Sequence, residues 1–355
     1  MEILEQLQNQ LYLSNNFIPR KAQIIDIKRV NIFGVRGSGK SSLVKDYINN
    51  NLDIEEVLYI DFDNPLLVLN HIDSKMIDDF IQDNDITTLI LDHYKTDYLS
   101  YIPNVDNIII ISRTNLKLDG YDLIELFALD YEEFIAFEKK SSTNSLNSFL
   151  KLGTLPQIVK ESSIDANMIK NFLSTSFTPN EQKLLTILAS FNTKNITTNQ
   201  IYLYAKDRFK ISKDWLYKKI KEWQDEKIIT LIDNSYQKSG KKLILFDFIL
   251  PKYITTNHIF IERFDNLIVL AMLKHYSKFE AIGNYEYIVN DTIIIVSPFD
   301  SEEHIWKKCY IKLSIYQKYN FKKVIIVTIS NQYNFKIKGI DFEGLPFSEW
   351  SILSS

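Results

Sequence analysis

One cysteine, nine glycines and eight prolines in 355 residues narrow the kinds of protein this chain can be. Cys309 alone excludes an internal disulfide framework and any multi-cysteine metal site. Its expected role is that of a small buried hydrophobe. No apolar run approaches the roughly 18–20 residues that span a bilayer. The longest, such as Ile108–Ile111 and Val324–Val327, have strand length. Met1-Glu2-Ile3-Leu4-Glu5 is acidic and amphipathic and lacks the basic-then-apolar layout of a secretory signal. The expectation is a cytoplasmic protein without membrane contact. A net charge of −4 gives the whole molecule none of the positive field typical of nucleic-acid binders. Internal repeats and long low-complexity segments are also missing.

What is present is a regular alternation of short apolar runs and helical stretches. Strands are predicted at Ile24–Phe33, Val57–Phe62, Ile86–Leu91, Asn107–Ser112 and Asp122–Phe127. Helices are predicted at Lys40–Asn50 and around Lys75–Gln82. Continuous β-branched runs alternating with helices indicate an α/β fold, with a parallel sheet covered on both faces. From Asp130 to Phe172 the pattern becomes helical, broken by Gly153 and Pro156. Helices over Asn180–Ser190, Asn199–Lys206 and Lys213–Trp223 then precede two strands, Ile228–Asp233 and Lys242–Asp247. Three helices and a hairpin are the order of a winged helix. The remainder predicts a small α+β or α/β domain, with a helix over Ile259–Tyr276 and strands at Tyr285–Ile288, Ile293–Val296 and Val324–Ile329. The expected domains are 1–128, 129–173, 174–247 and 248–355.

Three of the nine glycines fall in one octet, Gly34-Val35-Arg36-Gly37-Ser38-Gly39-Lys40-Ser41. It satisfies G-x-x-x-x-G-K-[ST] and lies after a predicted strand and at the start of a predicted helix, where the mechanism of a P-loop requires it. Glycines let backbone N–H groups curl around an anion, and the helix adds its positive end. Residues Gly34 to Ser42 are the expected nucleotide cradle. Lys40 is expected at the β/γ-phosphates of ATP and the Ser41 hydroxyl at Mg²⁺. Leu89-Ile90-Leu91-Asp92 is an apolar strand ending in a carboxylate, which makes Asp92 the second Mg²⁺-side residue. His93 follows it, where hydrolysing relatives of this motif carry Glu. An imidazole accepts a proton with different reach and pH dependence, so slow turnover is expected. Asp61 and Asp63, after the second strand, support water or metal or simply cap the loop. Arg113, after the fourth strand, stands where a sensor of the γ-phosphate belongs.

Charge is unevenly spread. Residues 175–242 hold 13 Lys/Arg and 7 Asp/Glu, a local net charge of about +6. Lys213, Lys218, Lys219 and Lys221 lie on or beside the third helix of the winged unit, and Lys238, Lys241 and Lys242 in the presumed wing. These two elements touch DNA in winged helices, which makes DNA an expected partner. A solvated Lys-rich face or a protein-contact module reads the same pattern without nucleic acid. Trp215 and Trp223 are spaced for one helical face and read as core.

With these motifs in hand, the chain resembles the prokaryotic AAA+ family ATPases that join an ATPase core to a winged helix and an often nuclease-like C-terminal domain. The matching pieces are Gly34–Leu43, Tyr59–Pro65, Leu89–Asp92, Leu126–Phe137, Leu150–Val159, Lys242–Phe248 and Phe264–Leu267. The resemblance implies a P-loop NTPase core, a helical lid over 129–173, a winged helix and a nuclease-like end, with ATP and Mg²⁺ as cofactors. Its departures are His93 for Glu, Gly120-Tyr121 for the Gly-Arg that supplies an arginine finger, and a C-terminal domain without the full carboxylate set. Asp265 and Glu286 are the acids left there. The implied function is a slowly hydrolysing ATPase, with catalytic roles for Lys40, Asp92, His93 and Arg113, that switches on nucleic acid, a partner protein or a homo-oligomer. The alternatives are a nucleotide-holding interaction module and an ATP-dependent nuclease.

Overall fold

The computed structural model describes residues 2–11, 17–138, 145–161, 164–235, 239–256 and 259–353. They divide into two units, Met1–Ala128 and Leu129–Ser355.

In the first unit α1 (Glu2–Asn9) precedes β1 (Arg29–Phe33), α2 (Lys40–Asn51), β2 (Val57–Asp61), α3 (Ser74–Asp83), β3 (Thr88–Asp92), β4 (Asn107–Ile111) and β5 (Asp122–Glu125). All five strands are parallel, in the order β2-β3-β4-β1-β5. The period of two in a strand sends alternate residues to opposite layers. Leu89, Leu91, Ile108 and Ile110 join Leu4 and Leu7 of α1 and Ile77 and Phe80 of α3. Ile90, Ile109, Val30 and Ile32 join Leu43, Val44 and Ile48 of α2. Strands β2, β3 and β4 are apolar along almost their whole length because both faces are covered, whereas β1 buries Asn31 and the edge strand β5 is partly exposed. The sequence predicts a strand from Ile24, yet β1 starts at Arg29. The Lys28 N–H donates to Asp26 Oδ1 at 2.9 Å in a local turn, and Ile25 remains 90% exposed.

Parallel pairing places every carboxyl end on one edge, and the register makes that edge level. Asp61 pairs with Asp92, Leu91 with Ile110 and Ile32 with Ile111. The segments after β1, β2, β3 and β4 therefore emerge side by side. Asn31, fully buried in β1, ties them: its Nδ2 donates to Ile110 O and Ser112 Oγ, and its Oδ1 accepts from Leu116 N.

The second unit opens with α4 (Tyr131–Phe137), α5 (Ser145–Leu152), α6 (Pro156–Lys160) and α7 (Ala166–Ser176). Then come α8 (Pro179–Ser190), β6 (Asn195–Ile196), α9 (Thr198–Lys206), α10 (Lys213–Asp225), β7 (Ile229–Ile232) and β8 (Lys241–Leu245). Strands β6, β8 and β7 form an antiparallel sheet in that order. Trp223 is fully buried and Trp215 half-buried, as their spacing predicts. The chain continues through α11 (Leu250–Ile254), α12 (Phe260–His275), β9 (Glu280–Ala281), β10 (Glu286–Val289), β11 (Thr292–Val296), α13 (Glu302–Lys318), β12 (Lys323–Thr328), β13 (Tyr333–Ile337), β14 (Ile340–Pro346) and α14 (Phe347–Leu353). Its six-stranded mixed sheet runs β13-β14-β12-β11-β10-β9. Cys309 is buried on α13 among Ile305, Leu313 and Tyr316, and burial pushes its thiol up to about 12.

Two buried carboxylates pin the second unit. Asp247 is sealed from solvent, and its four acceptor bonds come from Thr154 N, Thr154 Oγ1, Ile249 N and Leu250 N, at 2.6–3.1 Å. Gly153 makes the approach possible. Its φ is +82°, and an added Cβ would lie 2.6 Å from Ile249 Cγ2 and 2.9 Å from Asp247 Oδ2. Asp265 of α12 lies 2.6 Å from Lys242 Nζ of β8 and accepts from Tyr287 Oη at 2.6 Å; both charged groups are 0% exposed.

Thr154→Val is expected to lower stability by about 1–3 kcal/mol, because it strips a donor from a buried carboxylate. Denaturant unfolding reads this, and an unchanged midpoint would mean that Asp247 is satisfied without the hydroxyl. A pH test concerns Glu181, which closes a capping box with Thr178 at the start of α8 and lies 2.9 Å from Lys219 Nζ of α10. Burial pushes its carboxyl up, but Lys219 and the Thr178 donors outweigh this and hold it below its ordinary value. A depressed folded value stabilises above the unfolded one, about 4.3 for Glu, and that stability is lost as pH falls through the folded value. Glu181→Gln should therefore be destabilising at neutral pH and lose its effect in acid. An equal penalty at both would contradict the pairing.

Candidate functional site

Gly34 follows β1 with φ +144°, and a Cβ there would stand 2.2 Å from Leu126 O, so no larger residue fits. The loop then turns through Gly37 and Gly39, and α2 begins at Lys40. The Lys40 ammonium reaches back across its own loop, donating to Gly34 O at 2.8 Å and Val35 O at 3.0 Å. Val35, Arg36 and Ser38 are buried, Ser41 is half-buried and Ser42 is exposed. Among the described residues Ser38 Oγ is buried without a hydrogen-bond partner. An unmatched buried hydroxyl is costly, and a ligand in the loop would supply its partner.

Arg20, which sequence reasoning passed over, holds this loop from outside. It is 6% exposed and donates from Nη1 to Ser38 O at 2.6 Å and from Nη2 to Phe127 O at 2.8 Å. A buried guanidinium anchored on two carbonyls fixes the loop apex against the segment after β5. No motif signals it, because its partners are backbone atoms far away in sequence.

Asp92 ends β3 at 1% exposure. Tyr59 Oη donates to its Oδ2 at 2.5 Å and the His93 N–H donates to its Oδ1 at 2.8 Å. Tyr59 is the second functional residue missed, since it reads as a strand apolar position. Burial first, then the Asp92 charge and hydrogen bond, raise the Tyr59 hydroxyl well above its ordinary value, so it remains a donor. The nearby Ser41 side chain opposes part of that rise, which puts the P-loop serine in the neighbourhood of the Tyr59–Asp92 pair.

His93 has φ +54°, which swings its ring toward β2. Its Nδ1 donates to Asp61 Oδ1 at 2.8 Å, and its Nε2 lies 3.8 Å from Asp63 Oδ2. The Asp61 hydrogen bond raises the imidazole above its ordinary value, against the opposing effect of burial. Burial pushes Asp61 up, but the donors from His93 and the Asp63 amide outweigh it and leave this carboxyl low. Arg113 closes the row, with Nη2 at 3.9 Å from Asp63 Oδ2. Asp61, Asp92 and His93 offer ligand atoms all within 4.8 Å of one another, the one group of three metal-type side chains found among the described residues.

The basic residues of the second unit are not brought together in the same way. Lys213, Lys218 and Lys221 of α10 are exposed. Lys241 pairs with Asp233 at 2.9 Å, and Lys238 lies outside the described residues. Two of the lysines expected at nucleic acid are turned inward instead. Lys242 is 0% exposed and paired with Asp265, so it cannot reach a nucleic acid. Lys219 is 14% exposed and clamped between Glu181 and Glu222 at 2.9 Å each. The residual acidic pair is corrected too: Asp265 is neutralised by Lys242, and Glu286 by Lys312 of α13.

A family model described as an AAA domain matches residues 27–102, a stretch that runs from just before β1 past His93. No curated protein matches the chain. The N-terminal unit is thus similar to AAA-type ATPase domains in sequence and carries a five-stranded parallel sheet. No described helix is long and apolar enough to cross a membrane.

Tyr59→Phe should destabilise the chain by about 1–3 kcal/mol, because Asp92 Oδ2 then stays buried without its donor. Urea titration of the variant against the parent measures this, and coincident curves would show that the hydroxyl is dispensable.

Proposed function

We propose that this chain is an ATP- and Mg²⁺-binding AAA-type ATPase of slow turnover that acts as a nucleotide-dependent switch. The observation that carries the reading is the level carboxyl edge of the sheet. There the loop of Gly34–Ser41 after β1 and the buried Asp92 at the end of β3 emerge on one edge, with Tyr59 fixing the carboxylate. The residues fit the ligand: a loop whose first glycine admits no Cβ, a buried hydroxyl without a partner, and hydroxyl and carboxylate oxygens of the hard type that Mg²⁺ takes. Bound Mg²⁺ would neutralise phosphate charge as it develops.

The protein's own groups divide the work. Lys40 delivers a cation to the β/γ-phosphates when it leaves its loop carbonyls. Ser41 and Asp92 hold Mg²⁺, and Tyr59 fixes the Asp92 rotamer. His93 replaces the carboxylate that activates water in the ATPases this chain resembles. With Nδ1 committed to Asp61, only Nε2 faces outward, which supports slow hydrolysis. Arg113 is positioned by Asp63 to sense the γ-phosphate.

The helices and hairpin over 174–247 read as a winged helix, with the 129–173 helices as the lid. The exposed Lys213, Lys218 and Lys221 favour DNA as the target, although a protein partner or a second copy of the chain fits the same switch. The mixed sheet of 248–355 reads as a degenerate nuclease-like fold. Asp265 and Glu286 are each paired to a lysine there, which favours a binding role over cleavage.

Lys40→Ala should abolish tight Mg²⁺-ATP binding in a calorimetric titration, and unchanged affinity would sink the assignment. Any DNA binding should weaken steeply with added salt and be reduced by Lys213, Lys218 and Lys221 charge removal. Salt-independent binding would exclude that face.

A further inference from the structure

The second unit contains a cavity of about 170 Å³ between the end of α8, α11 and the first turn of α12. Its walls are apolar at Phe248 and Phe260 and cationic at Arg263 and Lys252. Arg263 is half-buried, its guanidinium carbon lies 5.1 Å from the centre of the Phe260 ring, and its Nε is buried without a hydrogen-bond partner. Among the described residues no carboxylate pairs with it. Burial pulls its proton affinity down and only the Tyr253 hydroxyl pushes back, as for a cation facing no counter-charge. Lys252 likewise has no acidic partner among the described residues; its ammonium stands 5.5 Å from the Tyr253 ring centre.

The other polar groups of the cavity are already engaged. Asn192 donates to Asn266 Oδ1 and accepts from Leu245 N. Glu262, the one acid in the lining, lies 3.5 Å from Lys194 of the neighbouring segment. Two cations thus remain uncompensated at one small cavity. A desolvated charge without a partner is costly, and proteins keep such groups where a ligand supplies the opposite charge. A guanidinium fork beside an ammonium suits a doubly charged oxyanion, and the phenyl walls accept the carbon of an ester.

We propose that this cavity is a phosphate-binding site, with Arg263 as the fork and Lys252 as the second cation. Its phosphate is either that of a small ester or that of a nucleic-acid backbone. The proposal is independent of the P-loop reading, and the test keeps them separate. The full chain carrying Lys40→Ala, which silences the other phosphate site, is titrated with inorganic phosphate, adenosine monophosphate and a DNA duplex. The same titrations are run with Arg263→Gln or Lys252→Gln added.

Saturable binding of phosphate or the mononucleotide that falls about tenfold or more with Arg263→Gln supports the small-ester source. Binding of DNA alone, with the same dependence, supports the backbone source. Binding of all three unchanged by both substitutions, or no binding of any, overturns the site. If Arg263→Gln fails to fold, Lys252→Gln decides alone: a loss supports the proposal and an unchanged affinity overturns it.

Discussion

A carboxylate buried at the end of a strand is the constraint around which the N-terminal unit is arranged. Asp92 is almost fully sealed, and such a charge persists only with its oxygens bonded. One oxygen takes the Tyr59 hydroxyl and the other takes the N–H of His93. The second bond requires the chain to turn sharply after β3, and the left-handed backbone at His93 is how it does so. The same turn carries the imidazole to Asp61. Register completes the arrangement, since Asp61 and Asp92 are direct partners across β2 and β3. Tyr59 comes two residues earlier on β2, which sets its side chain on the same face as Asp61.

The second unit solves a related problem in the opposite direction. Asp247 and Asp265 are buried without any opening to a ligand. Asp247 is satisfied by neutral donors, and burial pushes its carboxyl up. Asp265 has an ion pair, yet burial still raises it and lowers Lys242, so desolvation outweighs the attraction between them. A buried pair of this kind adds little net stability, but removing one partner strands the other charge. The two carboxylates fasten β8 to α12 and β10, and the segment at Thr154 to that after β8. The cavity at Arg263 differs from both, because its charge has no internal answer.

Much of this was legible in the residues. The P-loop was legible because glycine is scarce here and its spacing is dictated by backbone chemistry. The parallel sheet was legible because strands covered on both faces, such as β3 and β4, read as nearly continuous apolar runs. Tyr59 and Arg20 were not, since their roles depend on partners brought close only by strand register and chain return. The lysines misled for a related reason: a linear count of charge does not show that Lys242 points inward to Asp265 and Lys219 toward Glu181. Helix α13 escaped notice because its exposed face carries Trp306, Tyr310 and Ile311, which blur the buried stripe of Ile305, Cys309 and Leu313. The β13–β14 hairpin went unread as well: its two-residue turn is Lys338-Gly339, and the positive φ of both residues emerges only in the structure.

The central claim is that the Asp92–His93 edge is a nucleotide site slowed by its imidazole. Single-turnover ATP hydrolysis with Mg²⁺, compared between the natural chain and His93→Glu, tests it most directly. Tight binding is expected in both, with slow or absent turnover with His93 and faster turnover with Glu. Rapid hydrolysis by the natural chain that Glu abolishes would contradict it, as would equal slow rates in both.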